Sequence, residues 1–319
     1  MSDERRMLVS VLMPVYNVEN YLGKTLDSVF SQTYGNMEYV FVDDCSQDNS
    51  LQVLRHAIAR HRIDSSRCTV ISHEQNEGIA VSRADCISHA HGDYVLFVDS
   101  DDWITPDAVE QMVRATQDGR MDIVGCDFMK DYTSGRTTYH HENYAESCHE
   151  NLLRCLNYDI ATTLWKLLIR RSLFDNITIT PHVDIVEDYI ISVKLYHYAK
   201  RFAAVHQAFY HYVQYNPERV SFQTLRSITM HIKGVKEVEA FCREKGLLDD
   251  YAEHKLLLRK FNIRSNFLTR RLLDYDAYRR TFPETDGVWR EMGYSTKERV
   301  KFWLADHRLF PLLRLLLRR

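Results

Sequence analysis

The sequence predicts an α/β fold: a mainly parallel sheet flanked by helices, followed by a helical C-terminal extension. Three observations carry this. In the first hundred residues, short apolar runs alternate with segments whose apolar residues recur at helical spacing. Polar clusters stand at the ends of the apolar runs, where open parallel sheets bind their ligands. From Leu225 onward the chain is Leu-rich, helical in period and poor in turn signals.

Val9–Val15 is apolar apart from Ser10 and predicts a central strand buried on both faces. Tyr21, Leu22, Leu26, Val29 and Phe30 then recur at helical spacing, with Asn20 as the expected N-cap. Tyr39–Val42 predicts a second strand, and Ser50–Arg60 a helix with Leu51, Leu54 and Ile58 on one face. Cys68–Ser72 predicts a third strand, Ile79–His91 a helix, and Tyr94–Val98 a fourth strand. The strand–helix alternation demands crossover connections and hence parallel pairing. Farther on, Ile123–Phe128 and Leu164–Ile169 are expected strands, Tyr189–Tyr198 a helix and Val205–Val213 an edge strand.

Composition is that of an ordinary globular chain: 319 residues, 45% hydrophobic and 27% charged, with net charge −3. No overall basic excess points to nucleic acid. The charge is uneven, however. Residues 251–319 hold 16 Lys and Arg against 8 Asp and Glu, a local +8 that leaves −11 for the remainder. The seven cysteines include no C-x-x-C pair, which speaks against a disulfide framework or a thiolate zinc site and for a cytoplasmic chain. No run approaches the roughly 18 apolar residues that span a bilayer.

Asp99-Ser100-Asp101-Asp102 closes the fourth strand, and three carboxylates so close repel one another unless a cation joins them. By residue type this reads equally as an Mg²⁺ or Mn²⁺ site and as an acidic turn capping the next helix. Asp43-Asp44 is a second acidic pair at a strand end, which alone reads as a turn. Arg83 reads alone as a solvated helix residue, or as a clamp for a diphosphate. Glu187-Asp188 reads as an acidic helix start, or as a base whose pKa apolar neighbours raise. His140, His141 and His149 read as exposed loop histidines, not ligands.

In combination these pieces resemble the family 2 glycosyltransferases. Val9-Ser-Val-Leu-Met-Pro-Val-Tyr-Asn17 is similar to that family's opening strand, and Tyr39-Val-Phe-Val-Asp-Asp-Cys-Ser46 to its V-D-D-G-S turn. Asn76-Glu-Gly78 through Arg83, followed by Ala90-His-Gly-Asp-Tyr-Val-Leu-Phe-Val-Asp-Ser-Asp-Asp102, is similar to the segment leading into its metal-binding D-x-D. Trp165–Phe174, Glu187-Asp188 and Phe209–Tyr212 resemble landmarks of members that build bacterial surface polysaccharides. The resemblance spans about residues 8–215. Cys45, Ala84, Cys86 and Val186 depart from it; Cys45, Cys86 and Val186 stand where glycine is common in the family, and Ala84 where asparagine is.

The resemblance implies a GT-A fold, Rossmann-like, over 1–215, with a nucleotide-binding half (1–103), an acceptor half (104–215) and a helical extension (216–319). Pro14, Val15 and Tyr16 would line the base pocket, and Asp43 or Asp44 would bond the uracil edge. Arg83 would meet the diphosphate, Asp99 with Ser100 the ribose or sugar. Asp101, with Asp99 and Asp102, would hold Mn²⁺ or Mg²⁺. Asp188, or alternatively Glu187, would be the general base. The implied reaction is inverting transfer from a nucleotide sugar, UDP-linked, to a glycan or lipid-linked acceptor in cell-surface polysaccharide synthesis. The alternative is a catalytically inactive nucleotide-sugar-binding or scaffold protein of the same fold.

Two other classes fare worse. A phosphorelay receiver would end near residue 130, and a dinucleotide-binding oxidoreductase would need a G-x-G-x-x-G after the first strand, which is missing. The tail from Val300 interleaves Trp, Phe and Leu with Arg and Lys. That suits either a peripheral contact with the inner face of the cell membrane or a helix packed on the body, broken by Pro311.

Overall fold

A computed structural model describes residues 7–214, 224–269 and 272–318. They form two compact units, one of residues 7–155 and 159–214, the other of Leu156–Tyr158 and 224–318.

The first unit opens with β1 (Val9–Val15), α1 (Glu19–Phe30), β2 (Met37–Asp43), α2 (Ser50–Arg60), β3 (Cys68–Ser72), α3 (Ile79–Ser88) and β4 (Tyr94–Phe97). These strands lie in the order β3-β2-β1-β4, all parallel. Every residue of β1 is buried, as its uninterrupted apolar run requires of a strand covered on both faces. Asn20 is not the cap of α1. Val18 is the N-cap and the helix starts at Glu19; the N–H groups of Val18 and Glu19, which the helix leaves free, donate to Ser50 Oγ and Asp48 Oδ2 at the start of α2. A side chain distant in sequence does the capping.

The chain continues through β5 (Trp103–Ile104), α4 (Ala108–Ala115), β6 (Ile123–Asp131), β7 (Thr137–His140), α5 (Cys148–Leu156), β8 (Leu167–Arg170), α6 (Glu187–Tyr198) and β9 (Phe202–Val213). The sheet extends as β4-β8-β6-β9-β5, with β7 on β6. Here pairing is mixed: β8 is antiparallel to β4 and β6, whereas β6 and β9 are parallel. Two expectations are corrected. Leu164–Lys166 is a 3₁₀ turn ahead of β8: Lys166 turns inward to pair with Glu142 at 2.5 Å, and ladder pairing with β4 and β6 begins only at Leu167. β9 is not an edge strand; it lies between β6 and the two-residue β5.

The second unit holds α7 (Leu225–Glu244), α8 (Asp250–Ser265), α9 (Tyr275–Arg280), α10 (Thr296–Asp306) and α11 (Phe310–Arg318). Buried Ile228, Val235, Val238, Phe261, Phe302 and Trp289 form its apolar interior. Asp306 gathers it by accepting from Trp289 Nε1 (2.7 Å), Tyr278 Oη (2.9 Å) and the Gly287 N–H (3.2 Å). Pro311 does not break a helix. It occupies the first turn of α11, where a missing N–H costs nothing, and the tail is two helices joined at 307–309.

Candidate active site

The order β3-β2-β1-β4 makes the chain reverse its direction of winding beside β1, the place where open sheets leave a crevice beyond the strand ends. Val15 pairs with Asp43, and the Asp44 N–H donates to the Val15 carbonyl at 2.9 Å. On the other side the Val98 N–H donates to Leu12 O at 3.0 Å, which brings Asp99 alongside the same strand end. Pro14 and Val15 are buried under the rim, and Tyr16 stands on it with 45% of its surface exposed. Asn17, with φ of 49°, accepts from the Gln47 N–H at 2.8 Å and ties this rim to the turn after β2.

Asp43 and Asp44 are both buried but differ in use. Asp44 is consumed by the loop before α3: it accepts from the N–H groups of Glu77 (2.8 Å) and Gly78 (2.9 Å) and meets His73 Nδ1 (2.8 Å). The other His73 nitrogen meets Asp85 of α3 at 2.9 Å. Burial would lower the His73 pKa, but the two flanking carboxylates outweigh it and raise it. Asp43 keeps one carboxylate oxygen, Oδ1, buried and without a hydrogen-bond partner. A buried acceptor of this kind is costly unless a ligand meets it.

Arg83 sits on the face of α3 toward the strand ends and is 3% exposed. Its Nη2 donates to Asp99 Oδ1 at 3.2 Å and stands 3.4 Å from Asp188 Oδ1; Nε stands 3.4 Å from Glu187 Oε1. The sheet thus joins the end of β4 to the start of α6 through one guanidinium, with Phe97 packed against its plane. Burial alone would lower the Arg83 pKa, but Asp188, Asp99 and Glu187 more than offset it and hold the cation. Nε and Nη1 carry no hydrogen bond, so the guanidinium is under-satisfied for its five N–H groups. The observed partners of Arg83 are carboxylates, where the resemblance implies a diphosphate.

Glu187 and Asp188 open α6, whose positive N-terminal end favours acids there. Burial, reinforced by Asp188, pushes Glu187 well above the usual carboxylate range. Burial pushes Asp188 up to about 6, with Arg83 opposing and Asp99 reinforcing the rise. Glu187 is the more enclosed, with 7% of its side chain exposed against 20% for Asp188. Asp188 Oδ1 has no hydrogen-bond partner.

The acids of 99–102 do not converge into one three-ligand cage. Asp102 is 1% exposed and both its oxygens are taken, by Tyr210 Oη (2.9 Å) and the Val213 N–H (2.7 Å). These bonds make it an anchor for β9. Tyr210 Oη in turn accepts from the Asp99 N–H at 3.0 Å. Ser100 is buried, its carbonyl accepting from Thr25 Oγ1 at 3.0 Å. Asp99 and Asp101, partly exposed at the strand end, are the hard oxygen donors that fit Mg²⁺ or Mn²⁺.

Three contributors escaped the sequence reading. Tyr210 stacks on Trp165 with ring centroids 4.1 Å apart. Asp184 accepts from the Ala80 N–H at 3.2 Å and leaves no room for a β-carbon at Gly78, whose φ is +92°. It pins the helix carrying Arg83 to the loop that leads to Asp188. His73 is the third. Tyr210 lay within the resemblance to the second-half landmarks; nothing in spacing flags the other two.

Residues 10–181 match the model of the family described as "Glycosyl transferase family 2". The chain is 29% identical over 258 residues to the "Putative glycosyltransferase EpsH" of Bacillus subtilis, covering 76% of this chain and 71% of that one. It is 39% identical over 106 residues to the same organism's "Putative teichuronic acid biosynthesis glycosyltransferase TuaG", covering 33% and 40%. In three dimensions it matches a crystal structure of S. aureus TarS 1-349 in complex with UDP, with TM-score 0.66, 21% identity, and coverage of 98% of this chain and 90% of that one.

Proposed function

The chain belongs to glycosyl transferase family 2, and from that premise we propose that it inverts the anomeric centre of a UDP-linked sugar in transferring it to a hydroxyl of a cell-surface glycan or lipid-linked acceptor. The observation that carries this reading is the Arg83 bridge, which sets a donor-side acid, Asp99, beside an acid with a raised pKa, Asp188. The UDP complex of TarS supports the donor base, and the teichuronic acid biosynthesis ascribed to TuaG supports a polysaccharide product.

In this reading Tyr16 and Asp43 receive the base, the unpartnered Asp43 Oδ1 accepting from the uracil N–H. Asp99 and Asp101 hold a divalent ion, which when bound offsets the charge on the diphosphate. Asp188 takes the proton of the acceptor hydroxyl, its pKa of about 6 leaving it ionised yet basic near neutrality. Glu187, the more enclosed of the two and pushed upward by burial and by Asp188, stands against Arg83 Nε as the alternative base. Arg83 is a positioning residue that fixes Asp99 and Asp188 against each other. Residues 1–215 act as the catalytic domain and 216–319 as its helical extension. The net +8 of residues 251–319 and the exposed Trp303, Leu312 and Leu315 suit contact with an anionic membrane from which a lipid-linked acceptor is drawn.

A thermal-shift screen of nucleotide sugars with and without Mn²⁺, paired with a donor-hydrolysis assay, tests this. A UDP-sugar should stabilise the protein more with metal, and Asp101→Ala should abolish both the increment and hydrolysis. Stabilisation with no turnover under any donor and acceptor would overturn catalysis in favour of a binding or scaffold role.

A further inference from the structure

We propose that the chain carries a second divalent-metal site, of the zinc class, formed by Asp127, His141 and His206 outside the donor cleft. The three come from separate segments of the first unit: Asp127 from β6, His141 from the residue after β7, and His206 from β9. Asp127 Oδ2 lies 3.1 Å from His141 Nδ1 and 3.5 Å from His206 Nδ1, and all three atoms fall within 4.8 Å of one another. A tetrahedral ion with bonds of about 2.0–2.1 Å to nitrogen and oxygen separates its ligand atoms by roughly 3.3 Å. The two Asp127–imidazole separations match this spacing, and the third pair lies within 4.8 Å.

The backbone is built to make this meeting. β6 and β9 run in register until Cys126 pairs with Val205; then Asp127 pairs with Ala208, so His206 and Gln207 form an irregular, bulged stretch opposite Asp127. Bulges re-aim side chains, and this one turns His206 toward the carboxylate. Asp127 itself is fully buried, and buried carboxylates call for a cation. No lysine or arginine ion-pairs with it among the described residues; its ion-pair partners there are the two imidazoles. Its Oδ1 accepts from the Glu142 N–H at 2.8 Å, which fixes the carboxylate plane as an outer-shell partner does in metal sites. Tyr139 Oη donates to Oδ2 and lies at the same spot as a fourth group. Both imidazoles are half exposed or more, so an ion has a path in and a position left for water.

Two imidazoles with one carboxylate suit Zn²⁺, Co²⁺ or Ni²⁺ over Mg²⁺. Such an ion would clip β6, β9 and the segment after β7 together, and its binding free energy would add to folding.

The test uses untagged full-length protein stripped with chelator, in an Asp101→Asn background that removes the donor-side contribution. Calorimetric titration of Asp101→Asn with Zn²⁺ should give one equivalent, and the parent chain should retain that event at the same affinity. Co²⁺ should develop the intense visible bands of four-coordination, and Zn²⁺ should raise the melting temperature. His141→Ala and His206→Ala should each weaken Zn²⁺ at least roughly tenfold and abolish the Co²⁺ bands. Their exposure should leave the circular dichroism unchanged, and His206→Gln serves as a second variant. Absence of a stoichiometric event, or one that survives both substitutions, would overturn the site and leave the pair as hydrogen-bond partners of Asp127.

Discussion

Asp188 shows how one residue's surroundings set its chemistry. Its carboxyl titrates up to about 6 because burial outweighs the pull of Arg83. Transfer at subsaturating substrate should fall tenfold per unit as pH drops below about 6 and level off above it; a profile with no inflection there would count against Asp188 as base. Asp188→Asn should retain donor binding and lose transfer by roughly 10²–10⁴-fold, whereas Glu187→Gln should lose far less. Stability should move the other way. The folded pKa lies above the unfolded value, so the stabilising protonated form is present below about pH 4 and its contribution is lost as pH rises through 6. The melting temperature of Asp188→Asn should therefore match or exceed that of the parent chain at pH 7.5 and lose that advantage at pH 4.5.

At the scale of elements, the turn between β2 and α2 bears the cost of a departure legible in the sequence. Cys45 replaces a family glycine, and its φ is +61°, a left-handed conformation that strains an L side chain by about 1 kcal/mol. Cys45→Gly should raise the melting temperature by about 1–3 °C, net of the extra chain entropy; a lower one would show that the Sγ contact to Glu74 O matters more. Val186 also stands in place of a glycine, yet its φ of −134° needs none. Sequence alone flags both positions and cannot rank them, since a backbone angle is decided by what packs around it. Helix and strand periods located most elements to within a few residues. They failed where a distant side chain sets the boundary, as Ser50 and Asp48 do for α1.

Across the whole molecule, charge is segregated, with +8 in the last 69 residues. No described helix is long and apolar enough to cross a membrane. α11 buries Leu313 and exposes Leu312 (52%) and Leu315 (60%) beside Arg314. The full chain should cosediment with vesicles containing anionic lipid and not with neutral ones, the binding weakening as salt rises. Leu312→Ser with Leu315→Ser should reduce it severalfold without shifting the circular dichroism; unchanged binding would remove the tail from any membrane role.

The α/β order of the first hundred residues, the family, and the stations of Asp43, Asp99, Asp101 and Asp188 are legible in the chain read linearly. These depend on local period and on residue types at strand ends, which a linear reading preserves. How those stations are used follows from the folded arrangement. It spent Asp44 on a loop and Asp102 on β9, buried Arg83 among three carboxylates, and brought His141 and His206 to Asp127 through a bulge. Hydrogen-bond satisfaction and burial are properties of neighbours separated by tens of residues, and only the folded chain selects them.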